Sequence, residues 1–174
     1  MLKTTPVVKI DVKQRKHFDC GTHALNDFFR RHSERNHLRG LGKTFVLAVA
    51  DEIIGFYTVS MGNTLEFMHV PNEAEDALPH YPIPIGLIAR LAVSTSKQRQ
   101  GWGKWLLIDA IRRIFNAAQD VGAYAILVDA KDENAKNFYQ QYGFLPFPKR
   151  PMSLYMPLST VADLISEPSA ILSI

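Results

Sequence analysis

One stretch governs what this chain can become: GLIARLAVSTSKQRQGWGKWLLIDAIRRIFNAAQDVGAYAILVDA, residues 86–130. A short apolar run leads into a polar turn with two glycines, then an amphipathic run, a glycine and a second apolar run. The apolar runs have the length and continuity of strands buried on both faces. Between them Trp105, Leu106, Ile108, Ile111, Ile114 and Phe115 recur with near-helical period, and Gly122 stops the helix. Strand, helix, strand in that order points to parallel pairing with the helix laid over the sheet.

The flanking segments complete an α/β pattern. VVKIDV (Val7 to Val12) reads as an opening strand. THALNDFFRRHSERN places Leu25, Phe28, Phe29 and His32 at helical spacing, with Thr22 as its cap. TFVLAVADEIIGFYTVSMGNTLEF is β-branched and aromatic and is broken once, at ADEI, so it reads as an antiparallel hairpin. VPNEAEDALPHYPIPI, rich in proline and acids, reads mostly as a connecting loop with room for a short helix. After YAILVDA come a short helix, ENAKNFYQQYGF, closed by Gly143, and a last strand, MSLYMPL; the tail from Ser159 is weakly patterned. A mixed central sheet flanked by helices, in a single domain over residues 1–174, is the expected fold, with the tail at 159–174.

Composition narrows the class. The 174 residues fit one domain, and the 47% hydrophobic share supplies a core. No window approaches the ~18 apolar residues of a membrane span, the N-terminus lacks a secretory pattern, and one cysteine excludes a disulfide framework or a cysteine zinc site. The expectation is a cytoplasmic domain without a metal. The net charge of +3 is small. Its distribution is not even. Lys13, Arg15, Lys16, Arg30, Arg31, Arg35, Arg39 and Lys43 are opposed there only by Asp19, Asp27 and Glu34. Such a segment attracts a polyanion; a solvated helix face reads the same way.

The glycine turn carries the chemistry. It joins the carboxyl end of a strand to the N-terminus of a helix, where backbone N–H groups lack partners and the dipole is positive. Phosphate binds at such a place when side chains leave the approach open. Gln98, Arg99 and Lys104 add donors and charge. A Walker loop is absent, and Leu106 stands where a dinucleotide fingerprint has its third glycine. A close-packed strand-to-helix turn would also use these glycines.

RLAVSTSKQRQGWGKWLL resembles the acetyl-CoA motif of GCN5-related N-acetyltransferases (GNAT), with Gln98, Gly101 and Gly103 at its Gln/Arg-x-x-Gly-x-Gly/Ala positions. ENAKNFYQQYGF is similar to that family's later helix, which ends in Tyr-x-x-x-Gly-Phe. The likeness spans residues 44–158. It implies that the turn (Gln98, Arg99, Gln100, Gly101, Trp102, Gly103 and Lys104) holds the coenzyme's pyrophosphate. It also implies that main-chain groups of Leu91, Ala92 and Val93 face the pantetheine arm. Where many members carry an asparagine seven residues before the helix tyrosine, this chain has Asp132. FDCGTHALNDFF, GFYTVS and PIPIGLIARLAV further resemble the toxin branch of the family, the acetyltransferase halves of toxin–antitoxin pairs. That likeness implies acetylation of the α-amino group of aminoacyl-tRNA and inhibition of translation. It further implies an antitoxin of ribbon-helix-helix type, and it allows a homodimer. It gives Arg30, Arg31 and Arg35 a polyanion to meet.

Amine attack on a thioester needs few side chains. The Val93 N–H is the candidate oxyanion donor and Tyr139 the candidate general acid, with Tyr142 in reserve. A packed core aromatic is the alternative reading of Tyr139. No general base is evident: His69, His80 and Glu66 read as ordinary loop and hairpin residues, and Cys20 as a small buried one. Trp102 either covers the coenzyme or packs on the protein. A GNAT enzyme for a small amine or a protein N-terminus would share the same coenzyme residues. A coenzyme-binding regulator would keep the turn but would have little use for Tyr139.

Overall fold

A computed structural model describes residues 1–71 and 78–166, with side chains through 163. The strands are β1 (Thr5–Pro6), β2 (Lys43–Val49), β3 (Glu52–Thr64), β4 (Ile83–Val93), β5 (Ala125–Asp129), β6 (Leu145–Pro146) and β7 (Ser153–Pro157). They form a seven-stranded mixed sheet in the order β1-β2-β3-β4-β5-β7-β6. The helices are α1 (Val12–Lys16), α2 (His23–Asp27), α3 (Ser33–Leu38), α4 (Trp102–Ala118), α5 (Glu133–Gln141) and α6 (Leu158–Ser166). Two compact units divide the chain, residues 1–60 with 88–113 and residues 61–87 with 114–174.

In the first unit β2 and β3 form the expected hairpin, in register Phe45↔Tyr57 and Val46↔Phe56. Its two-residue turn, Ala50 and Asp51, holds both residues at positive φ, 48° and 65°. That is the geometry a tight hairpin demands, built here without glycine. Successive β3 residues face opposite ways. Phe56 stacks on Phe29 at 4.4 Å and meets Phe18 edge-on at 5.5 Å, and Val7, Cys20, Phe28, Val46, Ile53 and Ala92 complete that core. Gly55 faces the other way, towards α4. A Cβ there would lie 2.4 Å from the Ala92 carbonyl and 2.7 Å from Leu106, so only glycine lets β3 and α4 come so close.

α2 and α3 are joined without a break by a π-helical turn over Phe28–His32. The extra residue in that turn lets consecutive Phe28 and Phe29 both be buried. The helix ends against the hairpin, where the buried His37 Nδ1 accepts from the Thr44 N–H at 3.0 Å. Burial and then Lys43 hold the His37 imidazole below its usual pKa. In the second unit Phe67, Ile83, Ile85, Ala125, Leu127, Phe147 and Tyr155 form the core, and β7 lies antiparallel to both β5 and β6.

Three segments differ from expectation. β4 begins at Ile83, inside the run read as a connection, of which residues 72–77 lie outside the described ones. Residues 7–12 are not a strand: only Thr5 and Pro6 pair with β2, Val7–Lys9 make a 3-10 turn, and Val12 opens α1. The Asp11 carboxylate accepts from the Lys13 N–H and caps α1, a local signal that overrides the apolar pattern. The weakly patterned tail begins as a helix, α6, with Val161 buried; residues 167–174 lie outside the described ones.

Candidate active site

The glycine turn begins where β4 ends. Ser94 donates its N–H to the Ile54 carbonyl at 2.8 Å, and Thr95 donates to the Asp19 carbonyl at 2.9 Å. After a 3-10 turn over Thr95–Lys97, the Gln98 side chain folds back. Its Nε2 donates to the carbonyls of both Val93 and Cys20, each at 3.0 Å. Both donors of that amide are spent on shaping the loop. Gln100 donates to the Ser96 carbonyl at 3.1 Å, and Lys97 pairs with Glu52 at 2.9 Å.

Arg99 and Gly101 both take positive φ, 59° and 85°. This alternation turns consecutive backbone N–H groups towards one concavity. α4 starts immediately after, with Trp105 donating to the Gly101 carbonyl at 3.1 Å, so the N–H groups of Trp102, Gly103 and Lys104 precede the first intrahelical bonds. A Cβ on Gly101 would meet no atom within 4 Å. The space before the turn is open, and a side chain at 101 would stand in it. Concave N–H groups, a helix N-terminus, Arg99 and Lys104 fit a pyrophosphate. Trp102 is half-buried as the first residue of α4.

The orientation of α4 is fixed by a part-buried polar network. The Tyr57 hydroxyl donates to Asp109 Oδ2 at 2.5 Å and accepts from Arg113 Nε at 2.7 Å. Thr4 Oγ1 donates to the same Asp109 oxygen at 2.8 Å and accepts from Arg113 Nη2 at 3.1 Å. The Arg113 guanidinium lies 3.6 Å over the Phe45 ring. Burial, ahead of the neighbouring carboxylate, pushes the Tyr57 phenol far above its usual pKa. The sequence shows each of these residues but not their meeting, which joins β1, β3 and α4.

Tyr139 belongs to the second unit, on α5. Asp132 caps that helix by accepting from the Ala135 N–H at 2.8 Å, so the residue that departs from the family pattern holds the helix start. The Tyr-x-x-x-Gly-Phe signature is the helix stop. Gly143, at φ 92°, donates to the Gln140 carbonyl, and Phe144 donates to that of Tyr139. The Phe144 ring closes on Tyr139 at 5.7 Å. These are the paired bonds and the apolar contact of a Schellman cap. Tyr139 is 8% exposed, and burial pushes its phenol up to about 12. Its hydroxyl has no hydrogen-bond partner among the described residues. Tyr142 is half-buried, edge-on to Phe138 at 5.1 Å.

The basic segment forms a groove of about 510 Å³ in the first unit, lined by Val12, Leu38, Glu34 and five arginines: Arg15, Arg30, Arg31, Arg35 and Arg39. Arg30 is anchored, its Nε and Nη2 both donating to the Phe18 carbonyl at 2.9 and 2.5 Å. Arg31, 76% exposed, pairs with Asp27 at 3.2 Å. Arg15 pairs with Glu34, and its buried Nε has no acceptor. Arg35 and Arg39 are exposed and make no ion pair with the described residues. Positive charge exceeds negative on this surface.

Of the other candidates, Glu66 pairs with Arg150 at 3.8 Å, His69 and His80 are exposed, and Cys20 is buried. No metal-binding group occurs among the described residues, and no helix among them is long and apolar enough to cross a membrane. One residue was not singled out by the sequence. Arg90, a charge inside the apolar run of β4, lies half-buried with its guanidinium 3.7 Å over the Phe28 ring. Burial lowers its pKa.

Residues 40–146 match the acetyltransferase (GNAT) domain model. A tRNA-acetylating toxin of Mycobacterium tuberculosis (strain ATCC 25618 / H37Rv) is 33% identical over 150 residues, 86% of this chain and 89% of the relative. A probable toxin TacT of Sinorhizobium fredii (strain NBRC 101917 / NGR234) is 25% identical over 161 residues, 87% and 88% of the two chains. Among solved structures, AtaT complexed with acetyl-methionyl-tRNAfMet superposes with a TM-score of 0.83 at 26% identity, covering 95% of this chain and 99% of that one. A tyrosine-to-phenylalanine AtaT mutant, bound to acetyl-CoA and the C-terminus of the antitoxin AtaR, gives 0.77 at 26% identity, covering 96% and 99%. Matched along most of its length by acetyltransferases that act on tRNA, the chain belongs to the GNAT family, in its tRNA-acetylating toxin branch.

Proposed function

We propose that this protein transfers an acetyl group from acetyl-CoA to the α-amino group of aminoacyl-tRNA and thereby blocks translation. The observation that carries the RNA half is the arginine-lined groove, where exposed Arg35 and Arg39 add to Arg31 along one helical edge. Phosphodiesters are the chemistry such a surface selects. In this reading the turn from Arg99 to Lys104 takes the coenzyme's pyrophosphate, and main-chain groups of Leu91, Ala92 and Val93 align the pantetheine arm. Gln98 serves indirectly, by holding the loop.

Acetyl-CoA supplies an acetyl group activated as a thioester. The protein needs no strong base, because an α-amino group beside an ester is less basic than an ordinary one at ~7.7–8.0 and is largely neutral near pH 7. The Val93 N–H steadies the oxygen that gains charge. The amine sheds one proton and the departing sulfur gains one, so the protons balance. Tyr139, with its phenol near 12, is a weaker acid than a thiol at ~8.5. It therefore acts by donating a hydrogen bond to the sulfur while charge builds there. Its otherwise unpartnered hydroxyl is suited to this.

The test incubates purified protein with labelled acetyl-CoA and charged or uncharged tRNA. Label on charged tRNA alone, released with the amino acid by mild alkali, is expected. Label on a small amine or a protein N-terminus, with none on tRNA, overturns the reading. We assign its control to an antitoxin of ribbon-helix-helix type and its solution state to a homodimer. Co-purification with the product of the adjoining reading frame and light scattering test these two assignments.

A further inference from the structure

β4 reads Ile-Pro-Ile-Gly-Leu-Ile-Ala-Arg-Leu-Ala-Val, and a strand so apolar has one residue out of keeping, Arg90. Its guanidinium forms no ion pair or hydrogen bond with any described residue. A half-buried charge without a counter-charge is costly unless something else meets it. The Phe28 ring covers one flat face at 3.7 Å. Stacking of this kind orients a guanidinium and leaves the N–H groups at its edge open to solvent or a ligand. Phe28 is also the first residue of the π-helical turn, a local distortion that recurs at functional sites.

Position narrows which ligand the open edge can meet. Arg90 shares its face of β4 with Ala92, whose side chain packs in the core beneath α2 and the π turn. That is the face covered by the segment bearing Arg30, Arg31 and Arg35. Arg90 also lies three residues, ~10 Å, before Val93, whereas the turn that suits the coenzyme's phosphates follows the strand's far end. An anion reaching Arg90 therefore comes from the acceptor side. Resting on the aminoacyl-tRNA reading above, we propose that Arg90 is a positioning residue for the acceptor: its guanidinium binds the phosphodiester joining the terminal adenosine to the preceding nucleotide, which sets the aminoacyl group before the thioester. A fork of N–H donors matches a phosphate's two free oxygens, which a point charge does not.

The test compares two minimal acceptors, an aminoacyl-adenosine without phosphate and an aminoacyl-cytidylyl-adenosine that adds this one phosphodiester. For the wild type the dinucleotide should have a KM about ten- to a hundredfold lower. In Arg90→Gln that gain should vanish, while activity on the phosphate-free acceptor and acetyl-CoA affinity stay at the wild-type level, which also certifies the fold. Arg90→Lys should recover part of the gain. An equal gain in wild type and Arg90→Gln overturns the proposal, as does a loss of acetyl-CoA affinity matching the loss of acceptor, which would assign Arg90 to the coenzyme. Should Arg90→Gln fail to fold, Arg90→Lys decides, since full retention of the gain excludes a fork-specific contact. A wild type that acetylates a simple amine but neither nucleoside ester overturns the aminoacyl-tRNA reading itself, a distinct result.

Discussion

Replacing Gly101 with alanine separates two reasons for a glycine, one conformational and one steric. At φ 85° any L side chain is strained, and nothing lies within 4 Å of the added methyl. The stability cost is therefore the left-handed backbone penalty alone, about 1–2 kcal/mol. In a chain of 174 residues that lowers the melting temperature by about 2–8 °C. The methyl enters the open concavity before the N–H groups of α4, where a pyrophosphate would sit. Losing even one hydrogen bond to a charged phosphate weakens acetyl-CoA by about 10- to 100-fold. Isothermal titration with acetyl-CoA, well below the melting transition, reads that loss apart from the stability change. Arg99→Gly is the companion, because it relieves positive φ without adding bulk and should gain up to about 1 kcal/mol of stability. A Gly101→Ala protein with the expected melting loss but unchanged coenzyme affinity would refute the phosphate assignment of the turn.

Tyr139→Phe should cut turnover by about 10²-fold with coenzyme affinity retained; near-normal turnover would move the role to Tyr142. Because burial raises the Tyr139 phenol to about 12, the donor form persists through pH 10, and the rate should not fall on its account below that pH. A fall centred at 10, the ordinary phenol value, would contradict the buried donor. Arg35→Gln should reduce the salt dependence of tRNA binding by about one unit and weaken all tRNAs alike. Filter binding across a salt series checks it, and an unchanged slope would remove Arg35 from the interface. Asp51→Gly should stabilise the hairpin turn by about 0.5–1 kcal/mol in urea unfolding, since Asp51 sits at φ 65°; a loss of stability would mean that its weak contacts with Gln14 matter more.

Continuous patterns were legible. The hairpin, the strand–turn–helix–strand unit and the helix stop at Gly143 each follow from signals within one continuous stretch of sequence, and the structure has all three. What failed was decided by a competing local signal or by distance. Apolar Val7 to Val12 mimicked a strand, but the Asp11 cap turned Val12 into a helix start. Gln98 matches the motif by type, but its bond to the carbonyl of Cys20, 78 residues away, leaves no trace in the spacing. Arg90 went unnoticed because a single charge in an apolar run has no periodicity, and its stacking on Phe28 exists only after folding. The π turn was not legible, because Leu25, Phe28, Phe29 and His32 fit ordinary helical spacing.

The bonds that shape the glycine turn and seat α4 reach far back along the chain. Gln98 meets Cys20 across 78 residues, and Thr4 meets Asp109 across 105. Neither contact forms until a long loop has closed, and that closure costs entropy before any contact repays it. Residues 102–109 can be helical early, yet the turn before them acquires its final shape only once the N-terminal segment has docked. Catalytic competence should thus come late in folding. A chain shortened at its N-terminus, or carrying a bulky extension before Thr4, should keep most of its secondary structure while its acetyltransferase activity falls.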